Sequence, residues 1–405
     1  MSYQFFTLPQ NTSGAASIPI SNTPTPLASL TVEAGSGNNL VTLRANVGWR
    51  AILSLTRVLF KIWRGAPVTG ELICSVQDST ESAYDNLATT DFCNVVSGLA
   101  SDQPVTFVLT AETVDTNTLA EVIGPLTFTA YGTNLNETRY FELPNNTFGG
   151  ADIPVAQTPV PVAVINVDVE PGQDVVLRSY IGWIATSSVF PKVDVLFKLW
   201  RGAPVTGVLI ASADDSADVE RGAVTTFSHV DTGFTTAQTI TYVLTAEAPD
   251  LNHAASIVGA LTLTGSVQPV GASFTLPRNT ADSVSIPITT DGTPLAALTV
   301  ETHPGLVVTL RAAIGWAIPL TSSNVVTPIL FKIWRGAPVT GTLIYSARDS
   351  GESGRDYRKV TGLGHIDSGL TGSEPITYTL TAELTNLGTA ANVVGPLTFT
   401  AVPEN

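Results

Sequence analysis

One eight-residue string occurs three times in this chain: Trp-Arg-Gly-Ala-Pro-Val-Thr-Gly begins at Trp63, Trp200 and Trp334. Other landmarks keep the same order around it. Leu-Thr-Ala-Glu occupies 109–112, 244–247 and 380–383, and Gly-Trp recurs at Gly48-Trp49, Gly182-Trp183 and Gly315-Trp316. Leu-Pro recurs at Leu8-Pro9, Leu143-Pro144 and Leu276-Pro277. The period of about 135 residues is that of a whole domain, not of a solenoid turn. The chain therefore divides into residues 1–134, 135–269 and 270–405. The turn-forming stretches Tyr131–Glu137 and Gly265–Gly271 are the expected linkers, short enough to keep neighbouring domains in contact.

Within each copy the apolar pattern has period two. Ile376, Tyr378, Leu380 and Ala382 alternate with Thr377, Thr379, Thr381 and Glu383, and Leu397, Phe399 and Ala401 alternate with Thr398 and Thr400. Such alternation reads as half-buried antiparallel strands. About eight strands per copy are expected, and no stretch holds a helical period. The fold class is all-β: three tandem antiparallel β-sandwiches, with the jelly roll as the expected form.

Apolar residues make up 44% of the 405 residues and charged ones 13%, about half the usual share of roughly 25%. No run approaches the roughly 18 apolar residues of a spanning helix, so the excess must be buried inside domains or between them. The net charge of −15, with Lys61, Lys192, Lys198, Lys332 and Lys359 the only lysines, argues against nucleic acid. It equally disfavours an anionic membrane surface. The opening Met1–Gly14 has neither a basic nor an apolar region of a secretory signal. Synthesis in a cytoplasm is expected, with either residence there or release by another route such as lysis.

The strand Leu330–Arg335 carries apolar residues on both faces, with Phe331 and Ile333 on one and Leu330, Lys332 and Trp334 on the other. Such a strand is usually covered on both sides, here by the next domain or another chain. The same holds for Trp63 and Trp200. The rival is an aromatic platform for sugar rings; mid-strand placement favours packing. The Gly-Trp tryptophans Trp49, Trp183 and Trp316 are read as core.

Three charged positions recur on strands: Arg44, Arg178 and Arg311; Lys61, Lys198 and Lys332; Glu112, Glu247 and Glu383. They are expected to pair across strands or between domains, setting register more than stability. A Glu acting as a general base would need a pocket, a second acid or a nucleophile, and none recurs with them. Acidic residues also recur after the hairpin: Asp78, Glu81 and Asp85; Asp214, Asp215, Asp218 and Glu220; Asp349, Glu352 and Asp356. Of these, Asp214, Asp215, Asp218, Asp349 and Glu352 are weak Ca²⁺ candidates, but their spacing is irregular and a solvated acidic loop is the expected reading. His229-Val-Asp231 and His365-Ile-Asp367 match each other, yet the first copy has Asn94-Val-Val96. Hydrogen-bonded loop histidines are expected, without metal or catalytic role.

Cys74 and Cys93 align with Ala211/Tyr345 and Ser228/Gly364, so neither belongs to the shared design. They could bridge within the first domain, bridge chains, or remain small buried residues. The Gly-Ala-Pro-Val-Thr-Gly segment fits a hairpin turn. Asn11, Asn136 and Asn145 open glycosylation sequons, of little weight without a signal peptide. No phosphate-loop, dinucleotide, zinc-protease or serine-hydrolase motif is present. The chain is read as non-enzymatic, with no catalytic, cofactor-binding or firmly assigned metal residue.

The run LFKIWRGAPVTGTLIYSA…ITYTLTAEL…ANVVGPLTFTA resembles the exosporium protein C group of spore-surface proteins from Bacillus-like bacteria. It covers the second half of each copy best, for example residues 329–401. The resemblance implies jelly-roll modules of the tumour-necrosis-factor or C1q type, which tend to form trimers. Fusion of three units departs from the single-unit members of that group and suggests a pseudo-trimer within one chain. It further implies a sporulation context: synthesis in the mother cell, residence on the spore surface, and partners that are copies of itself or other spore-surface proteins. A structural protein that self-assembles into a fibre or sheet is thus the leading expectation, with strand edges and outer Trp and Leu positions as its joints. If the N-terminal strand docks onto a neighbouring chain, deleting residues 1–20 blocks assembly. A carbohydrate-binding or adhesive array is the alternative, and a polysaccharide-cleaving jelly roll with paired carboxylates is a distant third.

Overall fold

A computed structural model describes residues 4–33, 39–82, 86–99, 103–134, 138–186, 192–269, 272–320, 325–353 and 357–404. Tyr84, Asp85, Asp356 and the Asn136 sequon lie outside the described residues.

Among the described residues each repeat forms nine strands. The first contains β1 (Gln4–Thr7), β2 (Ile18–Ile20), β3 (Thr25–Glu33), β4 (Asn39–Leu53), β5 (Leu55–Arg64), β6 (Glu71–Glu81), β7 (Leu87–Val96), β8 (Pro104–Thr113) and β9 (Leu119–Asn134). The second contains β10 (Thr138–Glu142), β11 (Ile153–Val155), β12 (Val160–Val169), β13 (Gln173–Ala185), β14 (Lys192–Arg201), β15 (Val208–Asp218), β16 (Gly222–Asp231), β17 (Gln238–Glu247) and β18 (Ala255–Pro269). The third contains β19 (Ala272–Thr275), β20 (Ile286–Pro287), β21 (Thr293–Val300), β22 (Val307–Ala317), β23 (Val326–Arg335), β24 (Thr342–Glu352), β25 (Arg358–Asp367), β26 (Ile376–Leu384) and β27 (Asn392–Glu404).

In the first domain one sheet runs β1-β9-β4-β7, with β2 also on β9, and the other runs β3-β8-β5-β6. The other two domains repeat both orders. This alternation of strands between two antiparallel sheets is the jelly roll. The stretches expected as linkers are mostly strand: β9 continues through Asn134 and β18 through Pro269. They pair with β4 and β13, which satisfies backbone groups that a linker would have left to water. The N-terminal strand β1 pairs with β9 of its own domain, Gln4 opposite Ala130, and ends that sheet.

The alternating residues meet in one core per domain. Trp49, Phe60 and Phe92 share the first, Trp183, Phe197 and Phe227 the second, and Trp316, Phe331 and Leu363 the third. The Gly-Trp pair has a packing cause. A Cβ on Gly48, Gly182 or Gly315 would lie 2.3, 2.1 or 2.1 Å from the carbonyl oxygen of Gly124, Gly259 or Gly395. The ladder register shifts at each of these glycines, and the following tryptophan drops into the core.

The domains close into a ring. The loop after β10 in domain 2 docks on β6 of domain 1, and the loop after β19 in domain 3 docks on β15 of domain 2. The loop after β1 in domain 1 docks on β24 of domain 3. One head-to-tail joint is thus used three times and returns to its start, giving a pseudo-threefold axis within a single chain. Strands β7, β16 and β25 contact one another along that axis.

Candidate functional site at the domain joints

Each joint is organised by one buried asparagine: Asn11, Asn146 or Asn279. The side-chain oxygen accepts a backbone N–H of its own domain, from Leu126, Leu261 and Leu397 at 2.9, 2.8 and 2.9 Å. The amide nitrogen donates to a threonine of its own domain: Thr127 at 2.7 Å, Thr262 at 3.1 Å and Thr398 at 3.1 Å. Its remaining hydrogen crosses the joint. Asn146 donates to Asn94 Oδ1 at 3.0 Å and the Asn11 amide stands 3.1 Å from His365 Nδ1, whereas Asn279 donates to the Ser228 carbonyl at 2.9 Å with His229 Nδ1 farther away at 3.4 Å. Around it, Ser75, Ser212 and Ser346 donate their backbone N–H to the carbonyls of Asn146, Asn279 and Asn11 at 3.3, 3.1 and 3.2 Å. Their hydroxyls accept from Phe148, Ala281 and Ser13 backbone N–H groups at 2.9, 2.9 and 3.0 Å.

The His-x-Asp pairs thereby acquire a role. An amide donating to Nδ1 requires a neutral ring with its proton on Nε2. Burial pushes both His229 and His365 down to about 4, so neutrality holds at physiological pH. Asn94 replaces histidine in the first copy because a side-chain carbonyl is an equivalent acceptor. The aspartates serve the domain instead. Asp231 and Asp367 accept from Tyr242 and Tyr378 hydroxyls at 2.8 Å each and pair with Arg201 and Arg335. In the first copy Val96 and Phe107 occupy those two positions, an apolar substitute for the whole pair.

The recurring charges divide into two groups. Lys61–Glu112, Lys198–Glu247 and Lys332–Glu383 form cross-strand pairs at 2.5, 2.5 and 2.7 Å on the outer sheets. They flank the WRGAPVTG tryptophans. Trp63, Trp200 and Trp334 donate Nε1–H to Thr110, Thr245 and Thr381 at 3.0, 3.1 and 3.1 Å. The Lys61 and Lys332 ammonium groups stand 5.7 Å from the Trp63 and Trp334 ring centres. The next domain or another chain was the expected cover for these tryptophans; within this chain, groups of their own sheet cap them. Lysine stems and threonines of the same sheet do so, because a long amphipathic side chain can lie on an indole and keep its charge wet. Trp63 and Trp200 are 8% exposed, and Trp334 is half-buried.

The arginines go to the axis and are not equivalent there. Arg44 forms a buried two-pronged pair with Asp91, at 2.8 and 2.6 Å, and donates to the Leu363 carbonyl of domain 3 at 3.0 Å. Burial alone would lower its pKa, but Asp91 raises it overall. Arg311 lies over the Tyr131 ring at 5.1 Å. Arg178 is pushed down to about 10 by burial and then by Arg311. The positions opposite are shaped to fit. A Cβ on Gly362 would lie 2.7 Å from Asp91 Oδ2, and one on Gly364 would lie 3.3 Å from Arg44 Cζ. Tyr345 reaches across to Asn46 Oδ1 at 2.7 Å.

Of the acidic residues expected on a solvated loop, Asp78, Glu81, Asp214, Asp215, Asp218, Asp349 and Glu352 lie on strands β6, β15 and β24 and are largely buried, while Glu220 sits on an exposed turn. Asp78, Asp215 and Asp349 accept from Thr90, Thr225 and Thr361 at 2.5, 2.6 and 2.6 Å. Those threonines in turn accept the indole N–H of Trp49, Trp183 and Trp316. Burial pushes Asp215 and Asp349 up to about 7, opposed in both by Lys359. Asp214 pairs with Arg358 at 3.2 Å, Asp218 with Arg221 at 2.9 Å, and Glu352 is 1% exposed. The period-two pattern continued through these carboxylates, but their polarity disguised it as a loop.

Cys74 and Cys93 are free, buried thiols, and burial pushes Cys93 up to about 12. Beside them Glu142 accepts the Val95 N–H at 2.5 Å and is pushed up to about 8 by burial. An open groove of about 600 Å³ runs along the closing joint between Thr7–Thr12 and Leu343–Ser368. Asp367 is the carboxylate on its lining, and it is held by Tyr378 and Arg335.

Asn11, Asn146 and Asn279 were the residues least visible as functional. Their signal is the recurrence Leu-Pro-x-Asn-Thr at 8–12, 143–147 and 276–280, which the sequon reading of Asn11 obscured.

No protein family and no curated protein matches this sequence. Among solved structures, the tandem CBM22 domain of Paenibacillus barcinonensis Xyn10C is similar at 8% identity and a TM-score of 0.20, over 65% of this chain and 93% of that one. An infectious bursal disease virus Gx strain structure aligns at 8% identity and a TM-score of 0.22, over 99% and 79%. A chain of the lipid-containing bacteriophage PM2 aligns at 10% identity and 0.19, over 96% and 100%. The strand orders above define the class on their own: a tripled β-sandwich with jelly-roll topology.

Proposed function

We propose that this chain is a non-catalytic structural protein, a threefold building block that self-assembles into a spore-surface or other extracellular layer. The observation that carries the reading is the ring itself, one joint used three times and closed within one polypeptide. A closed ring has no use for its inner surfaces beyond cohesion. The recurring charged and polar groups are consumed in that cohesion, by cross-strand pairs, by joint asparagines and by the axial arginine cluster. Outward the ring presents β3, β12 and β21, each ending its sheet, and three hairpin tips. Sheet edges disposed around a threefold axis suit lateral growth into a layer.

The partners of this reading are copies of the same chain and other proteins of the layer. Its setting is the outer surface of a spore built inside a mother cell. Electron microscopy of the purified chain at rising concentration, with size-exclusion chromatography beside it, tests the proposal. Sheets or fibres with a repeat of one ring are expected. Isolated three-lobed particles at every concentration would overturn self-assembly.

A further inference from the structure

Domain 2 differs from its neighbours at one corner beside the β14 start. In domain 1, Arg57 forms a two-pronged pair with Asp115 at 3.0 and 2.6 Å, so that corner carries its own cation. Counting from the shared LFK and LTAE landmarks, Asp194 stands where Arg57 does, Asp250 where Asp115 does, and His253 where Thr118 does. Domain 3 has Pro328, Asn386 and Thr389 there. Both the local turns are kept: His253 donates its backbone N–H to the Asp250 carbonyl as Thr118 does to Asp115. The second domain has therefore exchanged a built-in guanidinium for a second carboxylate and an imidazole, with the Lys192 ammonium, 3.3 Å from Asp194 Oδ2, as the cation on that carboxylate.

The three side chains converge. One ligand atom from each of Asp194, Asp250 and His253 lies within 4.8 Å of the others. The Asp194 carboxylate is 4% exposed and divided in its use. Its Oδ2 is held by Lys192 at 3.3 Å and by the Tyr357 hydroxyl at 3.2 Å. Its Oδ1 is buried with no hydrogen-bond partner. A buried carboxylate oxygen left unpaired is costly, and a bound cation is the usual remedy. Nearby Arg358 is already matched by Asp214 at 3.2 Å and Asp282 at 2.9 Å, so it does not neutralise the corner. Asp250 faces solvent, which leaves an entry path and room for water ligands.

We infer that Asp194, Asp250 and His253 form a divalent metal site, present in domain 2 alone, that replaces the Arg57 guanidinium of domain 1. One imidazole with two carboxylates suits Zn²⁺ or a similar first-row ion over Ca²⁺ or Mg²⁺, which take oxygen ligands.

Titration calorimetry of the full chain with ZnCl₂, after chelator treatment, tests this. One Zn²⁺ per chain is expected, with a rise in melting temperature on binding. Asp250→Asn, an exposed change that leaves the fold intact, should weaken binding by at least about tenfold, the loss that follows even removal of an outer partner of a ligand. His253→Ala should do the same, and Asp194→Arg should abolish binding by restoring the domain 1 arrangement. Absence of saturable Zn²⁺ binding by the unmodified chain, or equal binding by Asp250→Asn and His253→Ala, would overturn the assignment.

Discussion

The outer sheets and the axial sheets of this ring follow different rules. On the outer sheets the three copies are nearly interchangeable: Lys-Trp-Glu-Thr recurs with hydrogen bonds within a tenth of an ångström between Trp63, Trp200 and Trp334. At the axis the same strands carry different residues. Asn46, Tyr180 and Ala313 occupy one position, and Asp91, Thr226 and Gly362 another. A symmetric surface can repeat because each copy meets the same solvent. An axis cannot, because Arg44, Arg178 and Arg311 already meet there, and the residues around three like charges must differ if one of them is to be paired and the others accommodated. The copies diverged where they meet, and that divergence sets which domain sits beside which.

The largest effect should come from breaking that axial divergence. Asp91→Ala leaves the Arg44 guanidinium buried without its carboxylate, a loss of about 3–5 kcal/mol. The comparable outer change, Glu112→Ala, unpairs a lysine that can turn to water and should cost about 1 kcal/mol or less. Urea unfolding midpoints of the two variants measure the contrast. Equal losses would remove the distinction between the sheets. Gly362→Ala sharpens it further. The added methyl meets Asp91 Oδ2 at 2.7 Å and Asp91 Cβ at 2.9 Å and should cost about 1–3 kcal/mol alone, and only somewhat less in the Asp91→Ala background, which removes the oxygen but keeps the Cβ.

Next in size is a pH effect confined to two joints. The folded pKa of His365 lies near 4, below its unfolded value near 6.5, so the folded state binds fewer protons between them. Its contribution to stability is full above pH 6.5 and is lost as pH falls toward 4. Asp215 and Asp349, raised to about 7, act with the opposite sign: their contribution is full below about pH 4 and is lost as pH rises through 7. The difference between His365→Asn and the unmodified chain isolates the histidine. The variant copies the Asn94 joint, and it should gain on the parent by about 2 kcal/mol at pH 5 while matching it at pH 8. Chemical denaturation at the two pH values checks this, and an equal difference at both would show that the joint does not depend on a neutral ring.

How much of this was readable in advance follows the same divide. Repetition and period-two alternation carry the outer sheets, so the sandwich, the Lys–Glu pairs and the core Gly-Trp tryptophans were legible. The joints were not. Asn11 makes its bonds to Leu126, Thr127 and His365, residues more than a hundred positions away, and nothing in its neighbourhood along the chain foretells them. Asp215 and Asp349 look solvated by composition, and only the Trp–Thr–Asp chain explains their burial. The metal corner is a special case. Arg57, Asp194 and Pro328 align, yet the exchange of charge becomes meaningful once Asp250 and His253 are seen beside it.

The smallest effect belongs to the hairpin tips, and it tests the symmetric half of the comparison. Val68, Val205 and Val339 hold φ values of 68°, 67° and 69° and are 66%, 68% and 78% exposed. A β-branched residue in the left-handed region costs about 1–2 kcal/mol, and here no burial offsets it. Asparagine tolerates that region through its short polar side chain. Val68→Asn, Val205→Asn and Val339→Asn should each raise stability by about 1 kcal/mol, equally in the three copies, as a rise in melting temperature. Equality is the critical outcome, because all three valines are mostly exposed within one ring. A gain at one tip and not at the others would mean that the outer surface, too, distinguishes its copies. If all three gains appear but the variants fail to assemble, the strained valines are the contacts between rings, kept in an unfavourable conformation because a neighbour takes up their exposed surface.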